Sequence, residues 1–213
     1  MGDRDGIGLR VFVAFELDTP CRRALAAVES ALKARIESGA GAGCSLTWVE
    51  PSNLHVTIRF LGATPETRLA GLCAAIGRPF TSLSFEVRLD ALGVFPGAGP
   101  AHTLWAGTSA DTPDAAQVCR ELDTRLVEWG LAPEERPFRL HVTLARIRRA
   151  GCALDLEVIR QFRMDPIGPF QVDRITLFES RLQGHGAVYV PLEYGALGPR
   201  PHGRNGGMKG GLR

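Results

Sequence analysis

Hydrophobic positions in the first part of the chain alternate between the spacing of strands and that of helices. The run LRVFVAFEL, which begins at Leu9, is short and rich in valine and phenylalanine, and this predicts a mostly buried strand. Asp18 or Thr19 can cap a following helix that has Pro20 at its first position. Glycine at position 39 is expected to end this helix, whose apolar residues recur at helical spacing: Leu25, Val28, Leu32 and Ile36.

Strands and helices continue to alternate along the rest of the chain. A glycine-rich loop over 39–45 and a short strand precede LHVTIRFLG, which predicts a strand over 54–62. A helix beginning near Pro65 and the alternating stretch SFEVRLDALGVF complete the first half. The second half repeats this order with the strand HTLWAGTSA, a helix opened by Pro113, the strand FRLHVTLARI, a short helix around Ile159 and the strands ITLFESRLQ and AVYVPLEY. The repetition indicates an internal duplication.

The duplicated order and the hairpin-length connections late in the chain predict an α+β fold with two lobes of antiparallel sheet and helices outside them. We expect a single bilobal domain over 9–194 that follows a flexible N-terminus over 1–8. The Gly- and Arg-rich segment 195–213 offers little apolar surface to bury and is predicted to be a disordered tail.

Composition narrows the class of protein without locating a site. With 45% hydrophobic and 23% charged residues and no apolar run of ~18 residues, the chain is ordinary for a soluble enzyme. The polar N-terminus lacks the apolar core of a secretory signal. The five cysteines are scattered and never spaced as CxxC, so we expect a cytoplasmic protein without a disulfide framework or a zinc cluster. A net charge of +2 argues against a duplex-coating protein but allows a local anion site.

The main chemical signal is a short motif that occurs twice. HVTI begins at His55 and HVTL begins at His141, and the two copies occupy equivalent places in the two halves. Because side chains alternate across a strand, His55 and Thr57 share one face, as do His141 and Thr143. The opposite faces are expected to enter the core: Leu54, Val56, Ile58 and Phe60 in the first copy, and Leu140, Val142 and Leu144 in the second.

Two such pairs suit in-line displacement at a phosphorus atom. One neutral imidazole takes a proton from the attacking water while the opposing imidazolium protonates the leaving oxygen. Histidine makes both protonation states accessible near neutral pH. The threonine hydroxyls can donate hydrogen bonds to the non-bridging oxygens as charge builds there. We therefore expect catalysis that requires no metal and no cofactor.

At these residues the sequence resembles the two-histidine phosphoesterase superfamily. HVTI and HVTL both match the HxTx motif of that superfamily. Further segments resemble its RNA 2',3'-cyclic phosphodiesterase branch, earlier named for 2'-5' RNA ligase activity: RVFVAFEL, NLHVTIRFLG, LWAG at 104–107 and RPFRLHVTLAR at 136–146. The resemblance covers Leu9 to Tyr194. It implies a bilobal, pseudo-twofold α+β fold in which two antiparallel sheets flank a central cleft.

The same resemblance implies roles and partners. His55 is expected to be the proton donor and His141 the proton acceptor, and the product is expected to be a 2'-phosphomonoester at an RNA end. Arg146 corresponds to a phosphate-contacting arginine, although ideal pleating turns it away from His141 unless a bulge re-aims it. We expect RNA or oligonucleotide ends with a 2',3'-cyclic phosphate as the partner, no membrane, no obligate protein partner and a monomer.

Other functions remain open at this point. The same pocket can run 2'-5' ligation or hydrolyse small cyclic nucleotides. A non-catalytic module that binds a nucleotide or a 2'-phosphate is the alternative of another class, but binding alone needs no acid and base. The remaining histidines, His102, His185 and His202, have no repeated partner and are expected at the surface. Trp48 and Trp105 are interpreted as core residues.

Overall fold

The computed structural model describes residues 8–38, 45–148, 156–184 and 186–200. This part of the chain forms ten strands and four α helices. The strands are β1 (Leu9–Glu16), β2 (Ser45–Trp48), β3 (His55–Thr64), β4 (Phe85–Leu89), β5 (Ala91–Phe95), β6 (Thr103–Gly107), β7 (His141–Arg148), β8 (Ile167–Val172), β9 (Arg174–Gln183) and β10 (Gly186–Ala196). The helices are α1 (Thr19–Ser38), α2 (Glu66–Gly77), α3 (Pro113–Val127) and α4 (Leu156–Arg160), and a 3₁₀ turn covers Pro51–Asn53.

Two four-stranded sheets form the frame of the protein. The His55 sheet has the strand order β10-β9-β1-β3, and the His141 sheet has the order β2-β7-β6-β5. All strand pairs within both sheets are antiparallel, as predicted. Each sheet takes strands from both halves of the chain, since β2 joins the His141 sheet and β9 and β10 join the His55 sheet. The two lobes are therefore interwoven, and the predicted α+β class is confirmed.

The alternating stretch SFEVRLDALGVF forms two strands in different sheets rather than one strand. The chain turns at Asp90, whose carboxylate accepts hydrogen bonds from the backbone N–H and the hydroxyl of Ser109 at 2.7 and 2.8 Å. β4 then pairs with β8 in a separate two-stranded sheet, while β5 pairs with β6. Sequence reasoning missed β8 because it contains Gly168 and Pro169. Proline is tolerated there because a two-stranded sheet consists of edges.

Helix α1 is capped as predicted but buries one residue that its pattern did not single out. The Asp18 carboxylate accepts a hydrogen bond from the backbone N–H of Cys21 at 2.8 Å. The buried face includes Glu29, which is 7% exposed and lies between Leu25 and Leu32. Burial raises the pKa of Glu29 to about 8, and the negative charge of Glu50 adds to the rise. Within the described residues its Oε1 has no hydrogen-bond partner.

Strand β10 and the packing of the chain continue past residue 194, where the sequence predicts the domain to end. β10 continues to Ala196, and Leu197 is buried at 8% exposure. A Cβ at Gly195 would lie 2.6 Å from the Phe80 ring, so this glycine permits close packing rather than flexibility. Arg200 donates a hydrogen bond to the Ser84 carbonyl and forms an ion pair with Asp114 at 2.6 Å. Residues 1–7 of the N-terminus predicted over 1–8, and residues 201–213 of the predicted tail, lie outside the described residues.

None of the helices in the described ranges is long and apolar enough to cross a membrane.

The buried Glu29 carboxyl predicts a pH-dependent stability. Because its pKa is higher in the folded than in the unfolded chain, its contribution is favourable at low pH and is lost as the pH rises through about 8. Glu29→Gln should therefore be more stable than the wild type, by an amount that grows from about pH 5 to about pH 9. One pKa unit corresponds to about 1.4 kcal/mol, so a gain of at least that order is expected.

Urea unfolding at several pH values measures this difference, with Glu37→Gln at an exposed position of the same helix as the control. An equal difference between Glu29→Gln and wild type at both ends of the pH range would contradict the prediction.

Candidate active site

His55 lies at the start of β3, where its ring is held from both sides. Its Nδ1 lies 2.7 Å from the Asn53 carbonyl oxygen and its Nε2 lies 2.9 Å from Thr57 Oγ1. A carbonyl oxygen only accepts hydrogen bonds, so Nδ1 carries the proton and the neutral ring presents the lone pair of Nε2. The Asn53 side chain in turn donates a hydrogen bond to the Ala187 carbonyl at 2.6 Å, which ties the turn before β3 to β10.

His141 lies at the start of β7 and is held in the equivalent way. Its Nδ1 is 2.7 Å from the Arg139 carbonyl oxygen, two residues earlier, as in the first copy. The same reasoning assigns the proton to Nδ1 and leaves Nε2 of the neutral ring unprotonated. β3 and β7 contact each other between the two sheets. The two histidines are close enough for the charge of His141 to affect the pKa of His55.

Both histidine strands contain one extra residue directly after the motif threonine. In β3, Thr57 pairs with Ala14 and Arg59 pairs with Val13, which leaves Ile58 as a bulge. In β7, Thr143 pairs with Trp105 and Ala145 pairs with Leu104, which leaves Leu144 as a bulge. A bulge interrupts strict alternation, so the fifth residue after each histidine returns to the face of that histidine.

The bulge at Leu144 decides the direction of Arg146. Arg146 pairs with Thr103, which is two residues from Trp105 on β6 and therefore on the same face as Thr143. Its guanidinium donates a hydrogen bond to Thr103 Oγ1 at 2.9 Å. Its charge lowers the pKa of both His55 and His141. Arg146 therefore lies on the histidine face, where ideal pleating would not have put it.

The bulge at Ile58 overturns the expected directions of the next two side chains. Phe60, expected in the core, pairs with Phe12 on the histidine face and is 68% exposed. Arg59, which strict alternation puts on the histidine face, points the other way. It forms ion pairs with Asp123 at 3.8 Å and with Glu134 at 3.3 Å.

Burial sets the protonation of both histidines. Burial is the largest factor that lowers the pKa of His55, with further lowering by the charges of His141, Arg22 and Arg146, while the Asn53 carbonyl opposes the shift. The pKa of His141 is lowered in the same way, by burial first and by the charges of Arg146 and Arg139, against the Arg139 carbonyl. Both rings are therefore mainly neutral near neutral pH in the free protein.

Aromatic rings surround each imidazole, and sequence reasoning missed them. Phe12 and Tyr189 have centroids 4.9 and 5.1 Å from the His55 ring. Phe95 and Trp105 have centroids 4.9 and 6.5 Å from the His141 ring. These rings restrict the water around the histidines. Trp105, interpreted as a core residue, instead lies beside His141, because a strand of mainly apolar residues does not reveal which of its faces meets the other lobe.

One cavity lies beside His141, and a larger one lies away from both histidines. One, of about 320 Å³, has His141 in its wall together with Phe95, Trp105, Phe138 and the loop 108–112. The glycine at position 93 makes room for this wall, because any side chain there would overlap the Trp105 ring. The other, of about 680 Å³, lies between α1 and the segment 162–169 and contains neither histidine.

The described residues near the histidines form no cluster of metal-ligating side chains. Across residues 8–38, 45–148, 156–184 and 186–200, no group of three or more histidine, cysteine or acidic side chains is arranged to hold a metal ion. Three histidines have no counterpart in the repeated motif. His102 lies directly before β6, while His185 and His202 fall outside the described residues.

The family is established by sequence. Residues 17–184 match the 2'-5' RNA ligase superfamily, and the chain belongs to this family, which confirms the resemblance carried by the two motifs. The chain is 31% identical over 160 residues to an RNA 2',3'-cyclic phosphodiesterase of Aeropyrum pernix, a match that covers 73% of this chain and 89% of the relative. It is 30% identical over 198 residues to one of Thermus thermophilus, covering 87% of this chain and 88% of the relative.

Solved structures share the fold. The chain matches the Thermus thermophilus protein TT0787 with a TM-score of 0.66 and 26% identity, covering 88% of this chain and 97% of that one. It matches E. coli LigT complexed with 3'-AMP with a TM-score of 0.67 and 24% identity, covering 89% of this chain and 98% of that one.

The carbonyl contacts and the burial of the histidines predict their NMR behaviour. In ¹⁵N-detected titrations of the free protein, His55 and His141 should each have a pKa below the ordinary value of about 6.5, and their neutral forms should carry the proton on Nδ1. Arg146→Gln removes a positive charge that acts on both rings, so it should raise both pKa values.

Single histidine-to-glutamine variants assign the signals, and the protein unfolded in urea supplies the reference pKa. A pKa at or above the unfolded reference for either ring, or a neutral form protonated on Nε2, would be inconsistent with this account.

Proposed function

We propose that this protein is an RNA 2',3'-cyclic phosphodiesterase that opens the cyclic phosphate to a 2'-phosphomonoester by metal-independent acid and base catalysis. The observation that carries the proposal is the matched pair of histidines, each with Nδ1 bound to a backbone carbonyl and each on the same face as a threonine two residues later. The proposal is further supported by the RNA 2',3'-cyclic phosphodiesterases among its relatives.

His141 is assigned the role of general base. With its proton on Nδ1 and donated to the Arg139 carbonyl, the ring offers the Nε2 lone pair to an attacking water. The carbonyl also stabilises the imidazolium that forms when the ring accepts the proton, because a charged donor makes a stronger hydrogen bond. The lowered pKa of His141 keeps the ring neutral and ready to accept a proton near neutral pH.

His55 is assigned the role of general acid toward the ribose 3'-oxygen. The ring must carry a second proton on Nε2 when the substrate is bound. The negative charge of a bound phosphate favours this imidazolium and opposes the burial that lowers the pKa of His55. A lowered pKa also makes the imidazolium a stronger acid, which assists departure of an alkoxide.

Three further side chains are assigned the role of stabilising the phosphate oxygens. Thr57 and Thr143 share the faces of their histidines and can donate hydroxyl hydrogen bonds to the non-bridging oxygens, where negative charge grows in the transition state. Arg146 supplies a positive charge on the same side as His141. Its hydrogen bond to Thr103 fixes the guanidinium before substrate arrives, which lowers the cost of ordering it.

The histidine roles predict opposite responses to the leaving group. His55→Ala should slow hydrolysis by ~10²- to 10⁴-fold, because the 3'-oxygen then departs as a bare alkoxide. A substrate analogue with a low-pKa phenol at the leaving position needs little protonation and should recover much of this loss. His141→Ala should be slowed comparably on both substrates, since water still lacks its base.

Steady-state rates of both variants on both substrates, measured against pH, test this assignment. The bell-shaped profile of the wild type should lose its alkaline limb in His55→Ala and its acid limb in His141→Ala. Rescue of His141→Ala alone would reverse the roles, and undiminished rates in both variants would exclude the mechanism.

Metal independence is tested separately. Two histidines, two hydroxyls and one guanidinium provide proton transfer and charge stabilisation without a Lewis acid, so hydrolysis of a 2',3'-cyclic nucleotide should continue at an unchanged rate after exhaustive chelation. Loss of turnover in chelator that a divalent ion restores, with the ion alone in buffer as the blank, would contradict the proposal.

A further inference from the structure

An exposed aromatic ring lies on the histidine face of the His55 sheet and has no role in the proposed proton transfers or in stabilising the phosphate oxygens. Phe60 is 68% exposed. Its ring centroid lies 6.1 Å from that of Phe12, and Phe12 in turn lies 4.9 Å from the His55 ring. Phe60 is thus one ring removed from His55 and contacts the aromatic group beside it.

The paired bulges make Phe60 the counterpart of Arg146. Each is the fifth residue after its histidine, and each returns to the histidine face because of the bulge. Their cross-strand partners correspond as well: Arg146 donates a hydrogen bond to Thr103, whereas Phe60 packs against Phe12. The same backbone position therefore presents a cation in the His141 sheet and an exposed aromatic ring in the His55 sheet.

This difference between the sheets matches the two chemically different parts of a nucleotide, the charged phosphate and the flat base. In the proposed reaction His55 protonates the 3'-oxygen, so the ribose lies on the His55 side of the phosphorus atom. The nucleobase extends from that ribose toward the same sheet. An aromatic ring is a sequence-tolerant platform for a base, because every base has a π face.

We propose that Phe60 stacks on the nucleobase of the nucleotide that carries the cyclic phosphate. The inference rests on the proposed function and adds a specificity-determining contact to it. Phe12 is only 3% exposed and supports the Phe60 ring from behind, so the stacking surface is held before the substrate binds. Phe60 acts on affinity for the base and leaves the proton transfers to the histidines.

The experiment compares a substrate that has a base with one that lacks it. We would measure kcat and KM of wild type, Phe60→Ala and Leu83→Ala for adenosine 2',3'-cyclic phosphate and for ribose 2',3'-cyclic phosphate. Leu83 is the matched control, because it is an exposed apolar residue, 44% accessible, that lies before β4 near the C-terminal segment. Phe60→Trp tests whether another aromatic ring preserves the contact.

Loss of one base-stacking contact is worth roughly 5- to 100-fold in affinity. Phe60→Ala should therefore lower the preference for the adenosine substrate over the ribose substrate by this factor, mainly through KM. Leu83→Ala should keep the preference of the wild type, and Phe60→Trp should restore it. Tryptophan fluorescence of Phe60→Trp should also be quenched by adenosine 2'-phosphate more strongly than that of the wild type.

Other outcomes overturn the proposal. If Phe60→Ala lowers kcat/KM equally for both substrates, Phe60 only covers Phe12. If the preference for the adenosine substrate over the ribose substrate is unchanged, the base lies elsewhere. A loss confined to a dinucleotide substrate excludes contact with the terminal base. If the wild type hydrolyses neither substrate, the proposed function fails while the stacking platform is still tested by calorimetry with adenosine 2'-phosphate: weaker binding to Phe60→Ala supports it, and equal affinity overturns it.

Discussion

The extra residue directly after the motif threonine of each histidine strand is the constraint on which the geometry of the candidate site depends. An ideal strand would turn Arg146 into the core of the His141 sheet and Arg59 toward the cleft. The bulges at Ile58 and Leu144 reverse both directions, while Val56, Val142 and Leu144 stay buried in the core. Because bulges re-aim side chains without breaking the sheet, the bulge at Leu144 brings Arg146 to the face of His141 at little cost to packing.

Packing around the histidines sets their electrostatics. Aromatic rings on both sheets cover the imidazoles in part, and this partial burial lowers both pKa values. The backbone carbonyls of Asn53 and Arg139 act against this shift and fix the proton on Nδ1. Neutral rings with a defined free nitrogen result from this balance. The same buried environment strengthens the interaction of the histidines with Arg146 and with any bound anion.

The two sheets keep the backbone symmetry of a duplication but differ in side-chain chemistry. The histidines, their carbonyl partners, the threonines and the bulges correspond between β3 and β7. The positions beyond the bulges do not, since a polar pair in one sheet corresponds to an aromatic pair in the other. A substrate with a charged phosphate and a flat apolar base is itself unsymmetrical, which gives this divergence a physical rationale.

The sequence by itself determined the strands of the two motifs, the capped helix α1, the α+β class and the pairing of His55 with Thr57 and of His141 with Thr143. These features depend on local periodicity and on contacts two to four residues apart. Tertiary structure alone decided the directions of Phe60 and Arg146, the burial of Glu29 and the aromatic surroundings of the histidines. Bulges arise from pairing with strands distant in sequence, and burial arises from packing against elements distant in sequence. Neither leaves a periodic signal in the residues that it affects.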